Sequence, residues 1–102
     1  MGFMSVDVTK IHKLPLENAK LKAEQVTNKI KSMKWCQGFS HQWDGDTINF
    51  RIDGGAAKGV KGYLRVTSAE ISVHVDLTVV VLAGKAEITE EINKYLREAG
   101  VP

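Results

Sequence analysis

Apolar residues at intervals of three and four constrain the fold of this chain more than any other feature. They are Leu16, Ala19, Ala23, Val26, Ile30 and Met33. Side chains with this spacing lie on one face of an α-helix, so the run predicts a helix of about five turns with one apolar face. Pro15 suits the first turn of such a helix, where a missing N–H is harmless. The intervening lysines are expected on the solvent-exposed face.

Beyond residue 38 the apolar residues recur at every second position, which predicts β-strands. Two such runs, 39–43 and 48–52, flank Asp44 and Gly45, a preferred pair for a two-residue hairpin turn. This turn predicts that the apolar side chains share one face of the hairpin. The facing pairs would be Trp43 with Asp46, His41 with Ile48, and Phe39 with Phe50.

Three further strands are predicted from the same alternation. The first is short and lies near residues 6–12, and the second covers 60–66, with Gly62 as a bulge or a point of close approach. The third and longest covers 71–81, with a polar second face. Its end, VVVL (79–82), is apolar on both faces, so another element is expected to cover it.

A second amphipathic helix is predicted at 88–99, with Gly100 as its terminator. The element order is then β-α-β-β-β-β-α. An antiparallel sheet with one polar face, together with two helices that each have one apolar face, predicts a two-layer α+β sandwich. The whole chain, 1–102, is expected to form one domain. This order is shared by the TATA-binding-protein-like fold and by a shortened helix-grip fold.

Size and charge favour an ordinary globular protein. The chain has 102 residues and a net charge of +2, which is too small to make nucleic acid the expected partner. Cys36 is the only cysteine, so an intrachain disulfide is excluded and a reducing compartment is expected. No apolar run approaches the roughly 18 residues that span a bilayer. We therefore expect a soluble, cytoplasmic protein without a transmembrane segment.

The stretch HQWDGDTINF (41–50) admits two interpretations. His41, Asp44 and Asp46 could form a metal or acid/base cluster, or the two aspartates could simply shape the hairpin turn. Turn aspartates face solvent, whereas His41 shares the core-facing side with Trp43. The turn interpretation is therefore favoured, and neither a metal nor a cofactor is expected.

A second histidine, His74, lies two residues from Asp76 on one strand face, about 7 Å away at ~3.3 Å per residue. That face is expected to be open to solvent, with no cleft that would perturb either pKa. The sequence also lacks a serine nucleophile elbow and a phosphate-binding loop. It therefore predicts a non-enzymatic protein.

Several stretches resemble the polyhydroxyalkanoic acid system family, small bacterial proteins named for their association with polyester-storage genes and granules. They are WDGD (43–46), GVKG (59–62), the long strand beginning at Ile71, GKAEITEEINKYL (84–96), and an H-x-L-x-L-x-x-A helix entry at His12, Leu14, Leu16 and Ala19. The resemblance implies a cytoplasmic accessory protein of storage-polymer metabolism. The granule surface, or proteins on it, would be its partners.

Two binding modes follow from this implication. Attachment to a granule would use exposed apolar and cationic side chains, and the candidates are Lys20, Lys31, Val80 and Leu82. Alternatively, the helices and sheet would grip an apolar hydroxyacyl-type ligand in a cavity lined by His41, Trp43 and Phe50. An open sheet also permits self-association, and the sequence leaves both a monomer and a weak homodimer open.

Overall fold

The fold is a five-stranded antiparallel sheet with two long helices, as seen in a computed structural model that describes residues 4–33 and 36–101. The strands have the spatial order β1-β5-β4-β3-β2. The elements are β1 Ser5–Ile11, α1 Leu16–Lys31, β2 Gln37–Asp44, β3 Thr47–Gly54, β4 Lys61–Val66, β5 Glu70–Asp76, α2 Val79–Leu82 and α3 Lys85–Glu98, with a 3₁₀ turn at Gly55–Ala57. The predicted α+β sandwich is confirmed, with the short α2 as an addition to the predicted order.

The core lies between one face of the sheet and the apolar faces of α1 and α3. Four residues of the predicted α1 run are buried there, and the two end residues, Leu16 and Met33, pack against the core from its margin. The most deeply buried side chains come from both layers. They include Val26, Ile48, Leu64, Ile71, Ile92 and Leu96.

Gly62 is a point of close approach inside the sheet, as its position in the sequence predicts. A Cβ at this position would clash with the backbone carbonyl oxygen of His74 and would lie 2.7 Å from Cζ of Phe50. Phe50 pairs directly opposite Gly62, and its aromatic ring covers the space that a side chain would take. Only glycine therefore fits there without a shift of the sheet.

The hairpin between β2 and β3 has a different register from the predicted one. Asp44 pairs with Thr47, so the turn residues are Gly45 and Asp46, and the predicted facing pairs are wrong by two residues. Gly45 has a φ of 63°, and no described residue other than glycine has a positive φ. The left-handed conformation of this turn thus falls on the residue without a Cβ. A shift of two preserves the shared face, in the pairs Trp43 with Ile48, His41 with Phe50, and Phe39 with Ile52.

The predicted long strand is also corrected, because β5 ends at Asp76 rather than continuing to residue 81. Both neighbours of β5 begin opposite Asp76, β1 with Ser5 and β4 with Lys61. Beyond that point Leu77 N–H still bonds to the carbonyl oxygen of Met4, but neither strand continues in the described chain, so the later backbone groups need another partner. Residues 79–82 satisfy them locally in the helical turn α2.

None of the described helices is long and apolar enough to cross a membrane.

Candidate functional site

The His41 and Trp43 side chains of β2 both contact Glu24 of α1. The indole Nε1 of Trp43 donates a hydrogen bond of 2.8 Å to Oε1, and Nε2 of His41 lies 3.1 Å from Oε2. The two residues are two apart on a strand, so they project to the same side and meet one carboxylate. We call this arrangement the Glu24 clasp. It ties the helix layer to the edge of the sheet.

A second link joins α1 to the hairpin turn. Lys20 Nζ lies 2.9 Å from Oδ1 of Asp46 and 5.6 Å from the ring centroid of Trp43. The hydrogen bond to Asp46 raises the pKa of the Lys20 ammonium. Lys20, predicted as a surface-binding residue, is thus engaged within the fold, and Asp46 has a structural contact.

The third residue predicted to line a ligand cavity, Phe50, is buried and stacked on Phe39 with 5.3 Å between ring centroids. A void of about 10 Å³ lies between the sheet and the helices near Phe50. Such a volume holds roughly one water molecule, so a hydroxyacyl chain has no room there in this conformation. The His41 and Trp43 side chains do not line this void.

On the opposite, polar face of the sheet, His74 is held between two carboxylates. Nδ1 lies 2.6 Å from Oδ1 of Asp7, and Nε2 lies 2.9 Å from Oδ1 of Asp76. The imidazole also stacks on Tyr63, with ring centroids 5.0 Å apart. We call these residues the His74 cluster. Both ring nitrogens are occupied, which suits an imidazolium that donates two hydrogen bonds.

The expectation that nothing on this face perturbs the pKa of His74 is wrong. The hydrogen bond to Asp7 raises the pKa of His74, and the contact with Asp76 acts in the same direction. The pKa of Asp7 is lowered, mainly by the hydrogen bond to His74. The cause is a pair of carboxylates rather than a cleft, and no local sequence pattern indicates Asp7. Only the pairing of β1 with β5 brings Asp7 opposite His74.

Other reactive groups in the described residues are few. No group of three or more His, Cys, Asp or Glu side chains in residues 4–33 and 36–101 is placed to hold a metal ion. Burial raises the pKa of the Cys36 thiol to about 11, so at neutral pH it is protonated and a poor nucleophile.

The region around α2 is unlike the rest of the surface. Val79 is 77% exposed and Val80 is 74% exposed, so the element expected to cover them does not do so. We call these two adjacent valines the α2 ledge. Leu82, also predicted as a surface-binding residue, is only half-buried and packs against the core.

A groove of about 620 Å³ adjoins the α2 ledge. Its walls come from the residues that follow α1, from the 3₁₀ turn, from α2 and from α3. Its apolar lining includes Met33, Val80, Val81, Ile88 and Tyr95, and its charged lining consists of Glu87 and Glu91. Ser32 also lines the groove, and the exposed Lys31 precedes it in the chain. Of the four predicted surface-binding residues, Val80 therefore lines this groove, whereas Leu82 and Lys31 lie next to lining residues in the chain or the same helical turn.

Comparison with known families shows which family this chain belongs to. The family described as "Putative polyhydroxyalkanoic acid system protein (PHA_gran_rgn)" matches residues 6–99. The chain belongs to this family. The match covers the stretches that carry the resemblance, WDGD, GVKG and the C-terminal helix, and confirms it.

Among solved structures, the crystal structure of TTHA0849 from Thermus thermophilus aligns with a TM-score of 0.49 and 11% sequence identity. The alignment covers 93% of this chain and 95% of that one. A comparison with curated proteins finds none that matches. Membership of the polyhydroxyalkanoic acid system family therefore rests on the sequence match over residues 6–99.

Proposed function

We propose that this member of the polyhydroxyalkanoic acid system family is a non-enzymatic accessory protein that attaches to the surface of polyester storage granules. The observation that carries the proposal is the α2 ledge, where Val79 and Val80 are 77% and 74% exposed side by side. The attachment surface consists of this ledge and the apolar groove next to it. The protein would act in the cytoplasm, at the granule.

The chemistry of the ledge suits a granule. A polyester granule presents apolar polymer beneath a lipid or protein coat, and exposed aliphatic side chains gain free energy by leaving water for such a surface. Fully burying one valine contributes about 1.5–3 kcal/mol. The exposed Lys31, which precedes the lining residue Ser32, would add attraction to anionic headgroups and offset repulsion from Glu87 and Glu91 in the groove.

A binding role is also supported by how the chemically competent side chains are used. His41 is bound to Glu24, Asp46 to Lys20, and both nitrogens of His74 to carboxylates. These contacts hold elements of the fold together. The side chains that are left exposed without such contacts at α2 are aliphatic, which suits adhesion and not proton transfer.

Co-sedimentation with isolated polyester granules tests the proposal. The wild-type protein should pellet with granules, and Val79→Ser/Val80→Ser should lower its affinity for them by about ten-fold or more, since each 1.4 kcal/mol is worth a factor of ten. Ile11→Ser is the matched control because Ile11 is 69% exposed but lies at the end of β1. It should pellet like the wild type.

Two results would count against the proposal. One is wild-type protein that stays in the supernatant at low salt. The other is a double valine variant that pellets as fully as the Ile11→Ser control. Lys31→Glu gives a finer test, because it should weaken retention at low salt and have little effect at high salt, where charges are screened.

A further inference from the structure

We propose that strand β2 pairs with β2 of a second copy of this chain, antiparallel and about a two-fold axis at His41. The pairing would join two five-stranded sheets into one continuous ten-stranded sheet. This interface is separate from the α2 ledge, so it does not depend on the function proposed above.

The first argument is that β2 is a regular and open edge. It is eight residues long, and its pairing with β3 is continuous from Phe39 to Asp44, whereas Gly38 has a φ of 69°. In residues 4–33 and 36–101 no strand pairs with its outer side, and its outward backbone groups have no backbone partner. Unpaired N–H and C=O groups along a straight edge are a template for another strand.

The opposite edge strand, β1, also has no strand on its outer side among the described residues, but it is less suited to pairing than β2. β1 carries Asp7 and Lys10 within its length, and α3 packs near it. Charged side chains within an edge strand are a usual means of preventing edge pairing. The β2 strand, QGFSHQWD, contains no proline and no lysine, and Asp44 at its very end is its only carboxylate.

The second argument is that β2 is complementary to itself in one register. With His41 opposite its own copy, Phe39 of one chain faces Trp43 of the other, and this pair occurs twice because of the symmetry. Ser40 faces Gln42, also twice, and Asp44 faces Gly38. Aromatic cross-strand pairs stabilise sheets, the one carboxylate of β2 faces a glycine, and each His41 keeps its own Glu24 partner.

The layer structure permits this pairing. A two-fold axis that relates two antiparallel edge strands stands perpendicular to the sheet, so each residue faces a residue on the same side. The half-buried Phe39, His41 and Trp43 of both copies would therefore lie on the helix-covered side. The exposed Ser40 and Gln42 would lie on the polar side, where charges can be introduced without entering the core.

Charge reversal at the polar positions tests both the interface and its register. Ser40→Glu/Gln42→Glu places Glu opposite Glu twice, and Ser40→Glu/Gln42→Lys places Glu opposite Lys twice. Glu at position 40 also lies opposite Arg51 within the chain, which favours folding of both variants. In sedimentation equilibrium we expect a wild-type dimer, association weakened about ten-fold or more in the first variant, and a dimer restored in the second.

A cysteine trap gives an independent readout. In a Cys36→Ser background, His41→Cys should form a disulfide-linked dimer under mild oxidation, because directly opposed residues have the required Cα separation. Leu21→Cys, at a position 64% exposed on α1, should not. A monomeric wild type at every accessible concentration would overturn the proposal, as would a Glu/Glu variant that remains as dimeric as the wild type.

Discussion

The hairpin end and the α2 end of this molecule use their side chains in opposite ways. At the hairpin end, α1 is tied to the sheet by the Glu24 clasp and by the Lys20–Asp46 ion pair. At the α2 end, two adjacent valines stand in solvent beside an apolar groove. At the hairpin end, polar side chains thus form contacts within the fold, whereas at the α2 end apolar side chains are exposed to solvent.

This contrast separates scaffold from surface. The histidine and aspartates of HQWDGDTINF, which the sequence suggests as catalytic or metal-binding candidates, instead stabilise the fold. The exposed apolar surface comes from the stretch VVVL, which has no reactive side chains. Substitutions at the hairpin end should therefore lower stability, and substitutions at the α2 end should leave stability almost unchanged while affecting binding. Variants at the two ends test this contrast, from the largest expected change in unfolding free energy to the smallest.

Phe50→Ala should cause the largest loss, about 3–5 kcal/mol, because it leaves a cavity in the core and uncovers Gly62. Chemical denaturation followed by tryptophan fluorescence and circular dichroism would measure it. Phe39→Ala is the matched control: Phe39 stacks on the same ring but is only half-buried, so its truncation should cost less than half as much. Equal losses would show that burial does not govern the hairpin.

Glu24→Ala should lower the unfolding free energy by about 1–2 kcal/mol, since it leaves the indole N–H of Trp43 without its acceptor in a part-buried site. Glu24→Gln keeps a carbonyl oxygen for that N–H and should recover part of the loss. Gln25→Ala, at the exposed neighbouring position, should stay within about 0.5 kcal/mol of wild type. If Glu24→Ala changed the unfolding free energy as little as Gln25→Ala, the Glu24 clasp would not contribute to stability.

Local periodicity accounts for what the sequence predicted correctly. The α1 run and the alternation from Phe39 to Ile52 determine which side chains face the core, because a helix or strand presents its faces by spacing alone. The hairpin pairing needed one more fact, that a left-handed turn residue falls on Gly45 and not on Asp44. The predicted core-facing side of each strand is still correct, because the pairing is shifted by an even number of residues.

The His74 cluster depended on contacts that no local pattern contains. Asp7 and His74 are 67 residues apart and meet only because β1 pairs with β5 at the edge of the sheet. A sequence shows His74 and Asp76 on one strand, but it does not show which strand lies next to them. The perturbed pKa values could therefore not be predicted without the strand order.

The pH dependence of stability tests the cluster, which lies on the polar face and belongs to neither end. The pKa of His74 is raised in the fold, so its contribution should be fully present below its ordinary pKa near 6.5 and be lost as the pH rises through the higher folded value. The pKa of Asp7 is lowered, so its contribution is present above about 3.8 and is lost as the pH falls. The cluster is therefore strongest between these limits.

Urea denaturation across this range should show the stability advantage of wild type over His74→Asn shrinking as the solution becomes alkaline. Asp7→Asn removes the main cause of the shift and should flatten that dependence. An advantage that instead grows with pH would contradict the assignment of a raised pKa. Retention on granules should not follow this titration, since the cluster contributes nothing to the α2 ledge.

The error at residues 77–81 has a different origin, because a run of β-branched residues does favour a strand. A strand also needs neighbours, and β1 and β4 both begin opposite Asp76. The lack of neighbouring strands beyond Asp76 therefore prevents a strand there. As a result Val79 and Val80, which were expected to be covered, are exposed.

Val79→Ser/Val80→Ser should produce the smallest change in stability, within about 0.5 kcal/mol per substitution, because these side chains are exposed already. The matched comparison is Val75→Ser, since Val75 is 3% exposed on β5 and its replacement should cost several times more. If the double variant unfolded as easily as Val75→Ser, the ledge would be packed against something in solution and the two ends would not differ. The double variant could instead be as stable as wild type and have lost its affinity for granules. Binding and folding would then be separate properties at the α2 end, because the two valines would contribute nothing to the stability of the fold and would act only through contacts with a granule.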